Sequence, residues 1–272
     1  MEKILVPFDF SVASSWGFHY AYELAASIDA EIIVLNVYSP ATEATYSLEK
    51  LQAHAPARKL EILAHLKAAT QYSAAKAVKV SYDISYGEKE GISVYAKRAK
   101  VDLIVMGTDG NAKGINKVWG SNTSMVIETA HCPVLAIPNG TKFESIKHIA
   151  YATNFDSKDI ESITQLGKVA KVMDSTLHCI HVNLFSEGAE SNKSAAFEAE
   201  VKTSLEGLPV VFNTWSAHTV EDGLEIFCRV NKIDMLAMLT HNRTTWNKVF
   251  GEHSVTKSMA MRNKLPLLAF HE

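Results

Sequence analysis

The chain has 272 residues, 47% apolar and 21% charged, with 13 Gly and 7 Pro, which excludes a disordered, collagen-like or low-complexity protein and gives length for about two domains. The formal charge is -3, and basic and acidic residues number 13 and 14 up to residue 140 and 14 and 16 after it. Neither half has the positive excess of a nucleic-acid binder or of a protein held to an anionic membrane.

The N-terminus, MEKILVPFDF, has no basic stretch followed by a long apolar core. No apolar run approaches the roughly 20 residues that cross a bilayer. Cys132, Cys179 and Cys228 form no CxxC pair, which fits a reducing compartment; a soluble cytoplasmic protein is expected, with neither nucleic acid nor membrane among its partners. Apolar runs rich in Val, Ile and Leu, without alternation, read as strands buried on both faces over 3–7, 31–37, 78–84, 102–106 and 133–137. Between them, longer segments predict helices over 13–28, 48–76, 88–99 and 121–130, with Pro56 starting or kinking the second.

The polar stretch PNGTKFES at 138–145 reads as a linker. Beyond it the order returns, with strands near 148–152, 176–182, 209–214, 234–238 and 266–270. KILVPFD matches KHIAYATNFD, EIIVLNV matches TLHCIHV, VDLIVM matches IDMLAM, NKVWG matches NKVFG and CPVLAI matches LPLLAF. On this matching Asp9 corresponds to Asp156. The chain therefore reads as two copies of one unit, residues 1–140 and 145–272. Alternating strands and helices predict an α/β fold, a doubly wound five-stranded parallel sheet in each copy. Such sheets bind ligands outside the carboxyl ends of their strands, where the strand order reverses, so the residues of interest are Pro7–Asp9, Val37–Ser39 and Gly107–Ser121.

The last of these segments lies in MGTDGNAKGINKVWGSNTS, residues 106–124, and fits G-x2-G-x9-G-S through Gly107, Gly110, Gly120 and Ser121. Glycines let backbone amides approach a ligand without a Cβ in the way, and successive amides form an anion nest. Gly120-Ser121 opens a helix, whose unpaired N–H groups and dipole favour phosphate. Ser121 and Thr123 add hydroxyls, and Lys113 and Lys117 add charge. With VPFDFS at 6–11, VLNV at 34–37, VDLIVMG at 101–107 and HCPVLAIP at 131–138, the pattern closely resembles the universal stress protein family in its ATP-binding branch, and the resemblance covers each half nearly end to end.

The resemblance implies an adenine nucleotide α-hydrolase-like fold and a stress-response regulator holding ATP, with ADP and AMP as alternatives. By similarity Asp9 would face the ribose and the triphosphate or its Mg²⁺, and Val37 would present backbone to adenine. Met106 and Gly107 would line base and ribose, and Gly110, Gly120, Ser121, Asn122 and Thr123 would hold phosphates. Asn122 stands where the family often has a hydrophobic residue. The family associates through its last strand, which implies pairing of 133–137 with 266–270 within one chain. A further homodimer stays open.

The second copy departs from the motif: Gly107, Gly110 and Ser121 are matched by Leu239, Asn242 and Glu252, although Gly251 keeps the place of Gly120. A carboxylate about 4 Å from a phosphate opposes it by roughly 4 kcal/mol at an effective dielectric near 20. Blander readings stand beside these. The glycine loop is also a tight turn, Asp9 is also an N-cap, and Trp119 and Phe250 suit packing. Cys179 and His181 share a strand face without a third metal ligand, while His131 and Cys132 point to opposite faces. No catalytic residue is assigned, and at most slow ATP hydrolysis is expected. The alternatives are a nucleotide-free protein-interaction module of the same family and an ATP-activating enzyme, against which PFDFS after the first strand speaks.

Overall fold

In the computed structural model of the chain, residues 1–38, 55–70, 76–86, 91–108, 121–185, 191–240 and 265–271 are described. They fall into two compact units, one built on the chain up to Phe143, the other on Glu144–Glu272.

In the first unit, β1 (Lys3–Pro7) leads to α1 (Val12–Ile28), β2 (Glu31–Tyr38) to α2 (Ala55–Thr70), β3 (Val80–Tyr86) to α3 (Gly91–Ala99) and β4 (Leu103–Thr108) to α4 (Ser121–Thr129), and β5 (Val134–Pro138) closes the series. The strand order is β3-β2-β1-β4-β5. All of these pairings are parallel, and Leu5 lies opposite both Ile33 and Ile104. Ile4, Leu5, Val6, Val34, Leu35, Ile104 and Val105 are fully buried, as strands covered on both faces require. The order reverses between β1 and β4, so the crevice expected to receive a ligand lies beyond their carboxyl ends.

The second unit repeats the scheme through β6 (His148–Ala152), α5 (Ser157–Val172), β7 (Thr176–Leu184), α6 (Ser191–Ser204), β8 (Val210–Ala217), α7 (Val220–Val230), β9 (Met235–Thr240) and β10 (Leu267–His271). Its strand order is β8-β7-β6-β9-β10, again all parallel. The likeness extends to single bonds. Asp102 Oδ2 accepts from the N–H groups of Glu2 and Lys3 at 2.7 and 3.0 Å, and Asp234 Oδ2 from those of Lys147 and His148 at 2.7 and 2.8 Å. Left-handed backbone recurs at Phe10 and Phe155, Asp29 and Asp174, and Lys100 and Lys232.

These matches correct the alignment drawn from the sequence. Ser11 caps α1, its side chain accepting from Ser14 N–H, and Asp156 caps α5, accepting from Lys158 N–H. Asp156 is thus the counterpart of Ser11, and Asn154 is that of Asp9. The Phe-Asp string common to both copies is two residues out of structural register. Asp9 is likewise not the cap of α1: its Oδ1 accepts from Ser11 N–H at 3.1 Å, one turn outside the helix.

Candidate functional site

β1 ends at Pro7, and the chain leaves the sheet through Phe8, Asp9 and Phe10. Phe10 takes φ 67°, a left-handed backbone uncommon for an aromatic residue. This turn releases Asp9, whose carboxylate is exposed beyond the end of β1. Partial burial pushes its pKa up, but hydrogen bonds from Ser11 and Ser14 outweigh this and hold it below the usual 3.8. The first unit therefore presents an ionised carboxylate at its crevice.

Val37 lies at the same end of β2. Leu5 faces Ile104, so Met106 is level with Pro7, and Gly107 follows at the end of β4. Asn122 and Thr123 lie in the first turn of α4, with Thr123 buried. Parallel register thus brings Asp9, Val37, Met106 and Gly107 to one end of three adjacent strands. Ser121 begins α4. Gly110, Gly120, Lys113, Lys117 and Trp119 lie outside the described residues, as do Asn242, Phe250, Gly251 and Glu252 of the second copy.

Gly107 has a packing role that its motif did not suggest. A Cβ there would meet the Ala13 carbonyl oxygen at 1.7 Å, and a Cβ on Gly17 would meet Gly107 N at 2.4 Å. The two glycines let α1 lie with its backbone against β4. In the second unit Ser162 and Leu239 hold these places, both buried, and the Leu239 side chain needs the room that α1 takes in the first. The acid moves as well. Asn154 stands where Asp9 does, while buried Asp159, at the place of Ser14, accepts from Tyr151 Oη at 2.9 Å and Thr153 Oγ1 at 2.6 Å. Burial raises the Asp159 pKa, against the lowering effect of these two bonds.

The remaining reactive side chains point elsewhere. Burial pushes the thiols of Cys132, Cys179 and Cys228 up to about 12, so none is poised as a thiolate nucleophile. His181 Nδ1 lies 2.8 Å from the Thr153 carbonyl oxygen. Among the described residues no three His, Cys, Asp or Glu side chains cluster as metal ligands, and no helix is long and apolar enough to cross a membrane.

Sequence reasoning missed Asn36, Ser14, Gly17 and Asp159. A glycine inside the predicted helix 13–28 was a signal for Gly17, since helix interiors disfavour glycine unless packing requires it. Nothing local marked the other three.

Comparison with known proteins adds the following. The universal stress protein family model matches residues 1–138. A universal stress protein of Methanocaldococcus jannaschii is 30% identical over 150 residues, covering 52% of this chain and 84% of that protein. The crystal structure of a universal stress protein from Archaeoglobus fulgidus superposes with a TM-score of 0.75 at 18% identity, over 99% of this chain and 98% of that one. A structure described as a putative universal stress protein from Pseudomonas aeruginosa gives 0.57 at 13% identity, over 100% and 93%. The last two speak for the fold alone.

Proposed function

The chain belongs to the universal stress protein family, and from that premise we propose that it is a cytoplasmic regulatory protein of the stress response whose first copy, residues 1–140, holds ATP and whose second copy, residues 145–272, does not. The observation that carries this reading is the convergence of Asp9, Val37, Met106 and Gly107 at the carboxyl ends of β2, β1 and β4, set against Asn154 and Leu239 at the equivalent places of the second unit.

Each residue has a role on this reading. Val37 offers backbone to the base, Met106 and Gly107 wall the base and ribose, and Gly110, Gly120, Ser121, Asn122 and Thr123 receive the phosphates at the start of α4. Mg²⁺ supplies charge neutralisation of the triphosphate. Asp9 fits it, because an exposed carboxylate held ionised by its hydrogen bonds is the oxygen donor that this hard cation takes, directly or through water.

The proposal includes pairing of the last strands, 133–137 and 266–270, within one chain. Both are short and apolar with Pro at their start, where a missing N–H costs least, and an open strand edge leaves N–H and C=O groups without partners. The reading is tested by denaturing the purified chain and analysing the supernatant, which should hold ATP or ADP. Gly120→Val, which puts a branched side chain into the phosphate loop, should abolish binding while the protein stays folded. A chain that neither releases nor binds adenine nucleotide contradicts the reading.

A further inference from the structure

Asn36 precedes Val37 on β2 and is only 3% exposed. Its Nδ2 donates to the Phe8 carbonyl oxygen at 2.7 Å, and the Phe8 N–H donates to the Leu35 carbonyl oxygen at 2.8 Å. The first bond extends the β1–β2 ladder by a side chain, at the level where β1 ends and the chain turns through Phe10 to release Asp9. One amide thus ties the residue before Asp9 to the residue before Val37.

The second unit makes the same connection with different chemistry. His181 takes the place of Asn36, and its Nδ1 lies 2.8 Å from the Thr153 carbonyl oxygen. Thr153 N–H donates to the Ile180 carbonyl oxygen at 3.0 Å, and Phe155 takes φ 61° as Phe10 takes 67°. Two unlike side chains placed alike in the two copies share one property, a side-chain N–H reaching one particular carbonyl.

Keeping this donor has a cost in the first unit. Asn36 Oδ1 is buried and has no hydrogen-bond partner among the described residues, and such an orphaned acceptor disfavours folding. Its neighbours Val34 and Leu35 are apolar and fully buried, so an apolar residue would suit the surroundings better.

We propose that Asn36 is a positioning residue of the nucleotide site, its amide holding the Phe8 carbonyl so that Asp9 and Val37 keep a fixed spacing across the crevice. The assignment rests on the nucleotide-binding reading of the first copy. Asn36 touches neither base nor phosphate; it acts through the turn that carries Asp9.

The test is calorimetric titration of ATP into the full-length chain and three variants, with melting temperatures measured alongside. Asn36→Leu removes the donor and should weaken ATP binding at least about tenfold. Asn36→His installs the donor that the second copy uses and should restore affinity to within about threefold of the parent. His181→Leu removes the equivalent bond from the second unit and should leave ATP affinity unchanged, whatever either leucine variant does to the melting temperature. A bond that only stabilises the fold would not produce this split.

If Asn36→Leu does not fold, Asn36→Ala is read by the same criteria. Unchanged affinity in the donorless variant, failure of Asn36→His to restore it, or equal weakening by His181→Leu overturns the assignment. A parent chain that binds no adenine nucleotide removes the underlying reading, and this assignment with it, and is distinguishable because no variant is needed to see it.

Discussion

Gly107 and Asp159 show how far a side chain's meaning depends on its neighbours. Gly107 stood out in the sequence as part of a phosphate-binding pattern, yet a Cβ added there would run into the Ala13 carbonyl. Gly107→Ala should therefore cost roughly 2–3 kcal/mol in urea denaturation, because backbone cannot move aside as a side-chain tip can. Gly91→Ala, whose added Cβ would find only Ser85 Oγ at 3.8 Å, should change stability by no more than about 0.5 kcal/mol; equal effects at the two sites would contradict this account.

Asp159 makes a pH prediction. Its pKa in the folded chain is raised above the ordinary 3.8, chiefly by burial, so the folded state favours its protonated form. The stability this gives is fully present below the ordinary value and is lost as pH rises through the folded one. Asp159→Asn should thus gain stability relative to the parent as pH rises from about 3.8, the difference levelling off once Asp159 has ionised. Melting curves across that range in which the difference stays flat, or runs the other way, would contradict it. Neither role was legible beforehand: a Cβ clash and a buried carboxylate are set by residues distant in sequence, whereas Asp9 and Val37 were marked by their position at strand ends and Met106 by the family resemblance.

The secondary structure was largely legible. Strands expected at 3–7 and 148–152 form over those residues, and the others shift by at most three residues at either end. Unbroken Val, Ile and Leu runs signal buried strands such as β1 and β4, but β3, expected to be buried on both faces, is the outermost strand of its unit and only partly covered; the last residues of strands are set by ladder hydrogen bonds and by braces such as Asn36 to Phe8. The helix expected over 48–76 forms over Ala55–Thr70, with Pro56 in its first turn, where proline is tolerated; residues 48–54 and 71–75 lie outside the described residues. The start of α1 was legible to within one residue, but its counterpart in the second copy was not, because Ser11 and Asp156 perform one capping role with different side chains and a shared Phe-Asp string suggested another match. Ser11→Ala should destabilise the chain by about 1 kcal/mol, and Ser11→Asp, the residue that caps α5, should cost much less. Denaturation showing Asp no better than Ala would argue against equivalent caps.

In the molecule as a whole, the two units are alike in strand order and in their braces, but unlike at the crevice. Fold constraints explain the likeness: the Asp102 and Asp234 carboxylates, the left-handed residues after helices and the parallel register are needed by either sheet. They do not require Asp9, and they require Gly107 only where α1 lays its backbone against β4; there the copies diverge to Asn154 and Leu239. If the last strands pair within one chain as proposed, hydrogen exchange should show slow amides along both 134–137 and 267–270 in the intact protein; fast exchange in either strand would contradict the pairing. The central claim is that one copy alone binds nucleotide. Calorimetric titration of ATP with Mg²⁺ into the full-length chain tests it most directly: the account predicts saturation at one nucleotide per chain, abolished by Gly120→Val, and two equivalent sites or no binding at all would contradict it.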